Sequence, residues 1–332
     1  MKKLFSILLL GALSMLFAEV FSGASTLWFI DPWGLLITYP LYLTHAVFFF
    51  SLAFIFHKTS VRQLYFFGMM FGLYEALITK VLWFGYPQSS GPMIGSFFGI
   101  AWGEFLTLVF FWHPVMSFLL PVFVYEALSD DFLPGHVRFL QKNKKTFFLA
   151  AILIVLGASF QSNGASYDIF RSIGSMGGSL LIVIVLHVLT KGKNLHSLVL
   201  GKKAMMLTIG YLIFQYALAT LFILPERLPH SVLPYLLILL WYILIIGLLW
   251  VDRYSPENRV LSKTVFTPRD LGLLALLIFV ATGVFSLFSP VTYGVLLVMF
   301  ISLMGVGVLL FFWSLMSLIL QGMSNNPVRD EN

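Results

Sequence analysis

Long apolar runs separated by short polar breaks dominate the chain, and within those runs polar positions do not recur at every second residue. Stretch 236–249, for example, has no period-two pattern, which argues against a transmembrane barrel. Ten apolar segments can be drawn, at roughly 4–22, 34–56, 64–86, 94–112, 147–163, 172–190, 204–224, 231–251, 271–289 and 293–320. Most have about 17–25 residues, enough to cross some 30 Å of hydrocarbon as a helix. The pattern predicts an all-α, polytopic transmembrane helical bundle of about ten spans.

One region does not fit a single straight span. Segment 94–128 is too long and is interrupted by Pro114 and Pro121. Two full crossings there would invert everything downstream, so one crossing followed by a re-entrant or interfacial piece near 114–128 is expected. The polar, basic stretch 129–146 reads as a cytoplasmic linker between a four-helix front (1–128) and a six-helix rear (147–322), with a cytoplasmic tail at 323–332.

Charge placement then sets orientation. Only 10% of the 332 residues are charged and 59% are hydrophobic, against about 25% charged in an ordinary soluble domain. A soluble protein is excluded. With the amino terminus inside, all of the 20 Lys and Arg residues except Lys80, Arg171 and Arg227 fall in inside segments. Both termini are therefore expected in the cytoplasm, and the chain in the cell membrane. Trp28, Trp33, Trp83 and Tyr86 gather at the outer interface, where an aromatic belt belongs. The first segment also reads as a signal peptide ending at Ser22-Gly23-Ala24, although Glu19 within its apolar run favours a retained helix. The formal charge of +6 is spent on orientation and indicates no nucleic-acid partner.

Candidate chemistry follows from the few polar residues left in the apolar segments. The chain has no cysteine, so disulfides, thiolate metal sites and cysteine nucleophiles are excluded. A charge near the bilayer centre costs at least about 2.5–3.5 kcal/mol and calls for a partner, a cavity or a role. Glu19, His45, Glu75, Lys80, Glu104, His113 and Glu126 all precede residue 129, whereas the rear offers only His187. Glu19 and Lys80 lie at similar depth on different helices and are expected to form a structural ion pair. Glu75 and Glu104 sit near the midplane and, with His113 and His45, are the candidate catalytic residues. The same four are the candidate ligands of a metal, and no other cofactor is indicated. Glu126 reads as a solvated or interfacial charge and His187 as structural. Gly174, Gly177 and Gly178, with Ser175 and Ser179, form a small-residue packing face.

The runs Ala18-Glu19-Val20-Phe21-Ser22-Gly23 and Gly72-Leu73-Tyr74-Glu75-Ala76-Leu77 resemble a group of uncharacterised prokaryotic polytopic membrane proteins. A second resemblance, over about 50 residues, is to the CPBP family of CAAX-type intramembrane proteases, whose core carries an E-E-x-x-x-R motif followed by histidines. On that motif Glu75 matches the first glutamate, but Ala76 replaces the second and Lys80 the arginine. His113 matches a family histidine, with Val109 where phenylalanine is expected and Ser117 where asparagine is common. The resemblance implies a water-activating glutamate, and Glu104 could supply a second carboxylate from the next helix.

Three functions remain open on the sequence. An intramembrane hydrolase would use Glu75 and Glu104 on a membrane peptide or lipid. A secondary transporter would load protons or small cations on the same carboxylates. An assembly protein would keep them as paired struts in the lipid bilayer. Oligomeric state is not legible.

Overall fold

The computed structural model describes residues 2–87, 89–190, 192, 194–253, 255 and 265–323. The tail from 324 and the basic residues Lys191, Lys193, Arg259, Lys263 and Arg329, counted above for orientation, lie outside them. Among the described residues, nine helices are long and apolar enough to cross a membrane: α1 (Lys2–Val20), α2 (Gly34–Ile55), α6 (Trp102–Ser129), α7 (Lys144–Gly164), α8 (Ile169–Thr190), α9 (Lys202–Phe222), α10 (Leu233–Val251), α11 (Pro268–Leu287) and α12 (Ser289–Met323). The expected third span is broken instead, into α3 (Val61–Gly72), α4 (Glu75–Ile78) and α5 (Val81–Phe84).

Helix starts follow local capping chemistry. Ser60 and Gln63 form a reciprocal capping box at α3, Asn143 and Thr146 at α7, and Thr267 and Asp270 at α11. The break after α3 has equally local causes. Gly72 ends the helix, Lys80 takes a left-handed backbone (φ 60°), and Gly85 another (φ 75°).

Region 102–129 corrects the expected re-entrant piece. It is one helix of 28 residues, about 42 Å at 1.5 Å per residue. Proline tolerance explains the difference. Residues Leu108–Leu119 widen into a π-helix around Pro114, which has no N–H and would clash with the carbonyl four residues earlier. That carbonyl, of Phe110, accepts a hydrogen bond from Tyr65 Oη at 2.7 Å.

Glycines let α3 seat directly on this widened helix. A Cβ on Gly68 would lie 2.4 Å from Pro114 Cα, and one on Gly72 would lie 3.0 Å from Val109 Cα. Two glycines four residues apart give a small-residue face of the kind that brings membrane helices into contact. At the inner end of α3, Arg62 grips Asp252 through two nitrogens (2.5 and 2.8 Å) and reaches Ser317 on α12 at 3.0 Å. α3 and α6 thus form the centre of the bundle. Burial reflects this: the most apolar 18-residue stretch of α6 is 83% buried and that of α12 is 17% buried.

The small-residue face on α8 packs as expected, with Gly178 against the Phe29 ring and Gly177 against Phe279. The outer aromatic belt does not form as expected. Trp28 is buried and donates to Ser179 Oγ at 3.0 Å, and Trp83 is buried against Tyr235. Of the four, Trp33 remains well exposed.

Candidate functional site

Glu75 is the first residue of α4, immediately beyond the two-residue gap that interrupts the third span. His113 lies in the π-helical part of α6, beside Pro114. Because Gly72 has no side chain, His113 can come close to α3; a Cβ at Gly72 would stand 3.2 Å from His113 Cβ. The outcome is a carboxylate–imidazole pair, His113 Nε2 to Glu75 Oε1, at 3.4 Å. His113 is buried, whereas the Glu75 side chain keeps 11% exposure, so the pair is reachable from the carboxylate side. Ser117, one turn on, holds His113 Nδ1 at 2.9 Å, and Thr79 donates to the other oxygen of Glu75.

A second carboxylate belongs to the same cluster, and it is Glu19 rather than Glu104. Residues Leu16–Val20 at the end of α1 are π-helical, and this turn carries Glu19. Tyr42 Oη donates to Glu19 Oε1 at 2.6 Å and Ser25 Oγ to Oε2 at 2.5 Å. Tyr74 Oη donates in turn to Tyr42 Oη at 3.1 Å. Both tyrosine rings lie against His113, Tyr42 stacked at 6.2 Å between centroids and Tyr74 edge-on at 5.0 Å. Glu19, Glu75 and His113 are mutually within electrostatic range. Three irregular stretches of helix, 16–20, 73–80 and 108–119, thus deliver one polar cluster.

Several expectations are corrected here. Glu19 and Lys80 do not pair. The Lys80 ammonium donates to the carbonyl oxygens of Ala219, at 2.7 Å, and Ile223, capping the carboxyl end of α9, where backbone acceptors lack helical partners. Glu104 is buried at the outer end of α6 and accepts from Met93 N at 3.0 Å, so it anchors the segment around Met93 instead of joining Glu75. His45 donates from Nδ1 to Leu41 O (2.8 Å) and accepts from Tyr216 Oη at Nε2 (2.9 Å). Its ring, but neither nitrogen, faces the cluster, through Phe71 and Tyr74. The four-residue metal site therefore does not assemble; among the described residues no three His, Asp or Glu side chains are grouped to hold a metal ion. Glu126 is fully buried, not solvated, and pairs with His136 at 2.8 Å; His136 also meets Thr59 O at 2.8 Å.

Tyr42, Tyr74, Ser117 and His136 were not singled out as site residues by the sequence. A signal existed for Tyr42, which stands three residues before His45 on one helical face.

A family described as an uncharacterized membrane protein family matches residues 8–323. An uncharacterized protein of Archaeoglobus fulgidus is 39% identical over 164 residues, covering 47% of this chain and 49% of the relative. The match thus spans about half the length of that relative. No solved structure matches the chain.

Proposed function

The chain belongs to the uncharacterized membrane protein family, and from that premise we propose that it is an intramembrane hydrolase acting on an amide or ester. The observation that carries this is the Glu75–His113 pair at 3.4 Å, set among spanning helices with only the carboxylate side open. The separation is longer than an ordinary 2.7–3.2 Å hydrogen bond, which leaves the pair free to engage a substrate.

Chemistry follows from the partners. The reaction uses the His113 tautomer protonated on Nε2, which faces Glu75, with Nδ1 accepting from Ser117 Oγ. Glu75 takes a proton from water as the water oxygen bonds to the substrate carbonyl carbon. The carbonyl π pair moves onto oxygen, where His113 Nε2–H stabilises the charge. Collapse breaks the bond to the leaving nitrogen or oxygen, which takes the proton back from Glu75. Glu19 acts as a positioning residue, since it orients Tyr42, whose ring stacks on the imidazole.

The CPBP resemblance adds little to this reading, because Ala76 has no carboxylate and Lys80 is committed to α9. One observation favours a second reading, proton- or cation-coupled transport: the helix interruption at 73–80 beside a carboxylate resembles the broken helices of transporter sites. Glu75→Gln and His113→Gln decide between them in proteoliposomes. The hydrolase reading expects turnover to fall by about 10²–10⁴ in both variants with thermal stability kept. Loss of pH-gradient-driven uptake with no hydrolysis in the parent protein overturns it.

A further inference from the structure

A groove of about 370 Å³ opens beside the cluster, between α2, the 73–77 turn, α9 and α10. Its walls are Phe48, Phe49, Leu73, Leu77, Leu212 and Ile238, and its polar spot is the His45–Tyr216 hydrogen bond. The volume lies within the range of about 300–1,000 Å³ typical of small-molecule sites. We propose that this groove binds the hydrocarbon chain of a membrane lipid, and that the substrate of the Glu75–His113 pair is a lipid or lipid-linked molecule held by that chain.

Position identifies the occupant. His45, Leu212 and Tyr242 lie near the middle of their spanning helices, so the groove opens at mid-depth of the bilayer. It is continuous with the lipid-facing surface of α9 and α10, where Ile213, Phe214, Leu236 and Leu239 are exposed. Only hydrocarbon is available at that depth, and an apolar wall offers a hydrocarbon chain contacts that water cannot match.

Continuity with the cluster identifies the role. Leu73 and Leu77, one turn apart, line the groove, and the opposite side of the same turn carries Glu75. The groove's inner wall is a single aromatic layer: His45 stacks on Phe71 at 4.9 Å and meets Tyr74 at 4.9 Å, and Tyr74 lies against His113. A chain lying in the groove thus runs along one side of the turn and aromatic layer whose other side carries the pair. His45, expected to be catalytic, is thereby assigned to the chain-binding wall. The role in turnover rests on the hydrolase reading; the binding does not.

The test uses full-length protein in nanodiscs containing phosphatidylcholine with a diazirine in mid-chain, irradiated and mapped by peptide mass spectrometry. Adducts are expected to concentrate at Leu212, Ile238 and Tyr242 over Val298 and Leu309, which are exposed on the face of α12. Filling the groove with Leu212→Trp, or more gently with Ile238→Phe, should cut those adducts about tenfold, the loss expected if roughly 1.4 kcal/mol of chain contact is removed. The α12 adducts should stay constant, and a thermal melt of each variant confirms folding. Equal labelling of groove and α12, or unchanged labelling in both filled and folded variants, overturns the binding site. Labelling in Glu75→Gln should equal that of the parent. If Glu75→Gln also hydrolyses normally, the hydrolase reading fails while the lipid site stands.

Discussion

Tyr65 illustrates how single side chains hold this site open. Its hydroxyl donates to the Phe110 carbonyl, for which Pro114 offers no N–H four residues on. Tyr65→Phe should therefore remove this buried hydrogen bond and lower stability by about 0.5–1.5 kcal/mol, measured by unfolding in detergent. A melt equal to that of the parent would mean the π-helix needs no such support. Glu19 and Lys80 offer a sharper comparison. Their depth was legible in the sequence, but their partners were not, because rotation about each helix axis decides which neighbour a side chain meets. As an ion pair they would couple strongly. With Glu19 on Tyr42 and Lys80 on the end of α9, the effects of Glu19→Gln and Lys80→Met should add to within about 0.3–0.5 kcal/mol in a double-mutant cycle. A larger coupling energy would restore the pair.

At the scale of elements, length and apolarity made the nine membrane-length helices among the described residues readable, because a bilayer demands about 20 apolar residues whatever the tertiary packing. The irregular elements were not readable in the same way. Pro114 and Pro121 suggested a helix break at 114–128, yet α6 absorbs Pro114 by widening. Conversely, 64–86 read as one span because nothing in its hydropathy marks the gap after Gly72. Gly68 and Gly72 carried the missing signal, a pair of small residues at helical spacing that lets α3 approach Pro114 and Val109. Gly68→Ala places a Cβ 2.4 Å from backbone and should destabilise the protein by about 1–3 kcal/mol. Gly210→Ala on α9, where a Cβ meets nothing within 4 Å, serves as the neutral control. Equal melts for the two variants would show that the α3–α6 contact is looser than described.

For the whole molecule, the polar cluster lies in the most buried part of the bundle, and the rear helices face outward. By counting charges the sequence pointed to the first 128 residues, and the Glu19, Glu75 and His113 cluster lies there, but the sequence chose Glu104 where the fold supplies Glu19. Residue counting put Glu104 near the midplane, whereas the fold starts its helix at Trp102 and leaves it near the outer end, and hydropathy does not register that shift. Orientation can be checked directly because the chain has no native cysteine. A cysteine at Ser90 should react with an impermeant maleimide from outside intact cells and one at Lys144 should not; the reverse pattern would invert the topology. The central claim, that Glu75 and His113 activate water, is tested most directly by hydrolysis in H₂¹⁸O. Protein reconstituted with membrane lipids and lipid-linked peptides should release a carboxylate carrying one ¹⁸O atom, and Glu75→Gln should release almost none. Equal ¹⁸O incorporation by parent and variant would contradict the account.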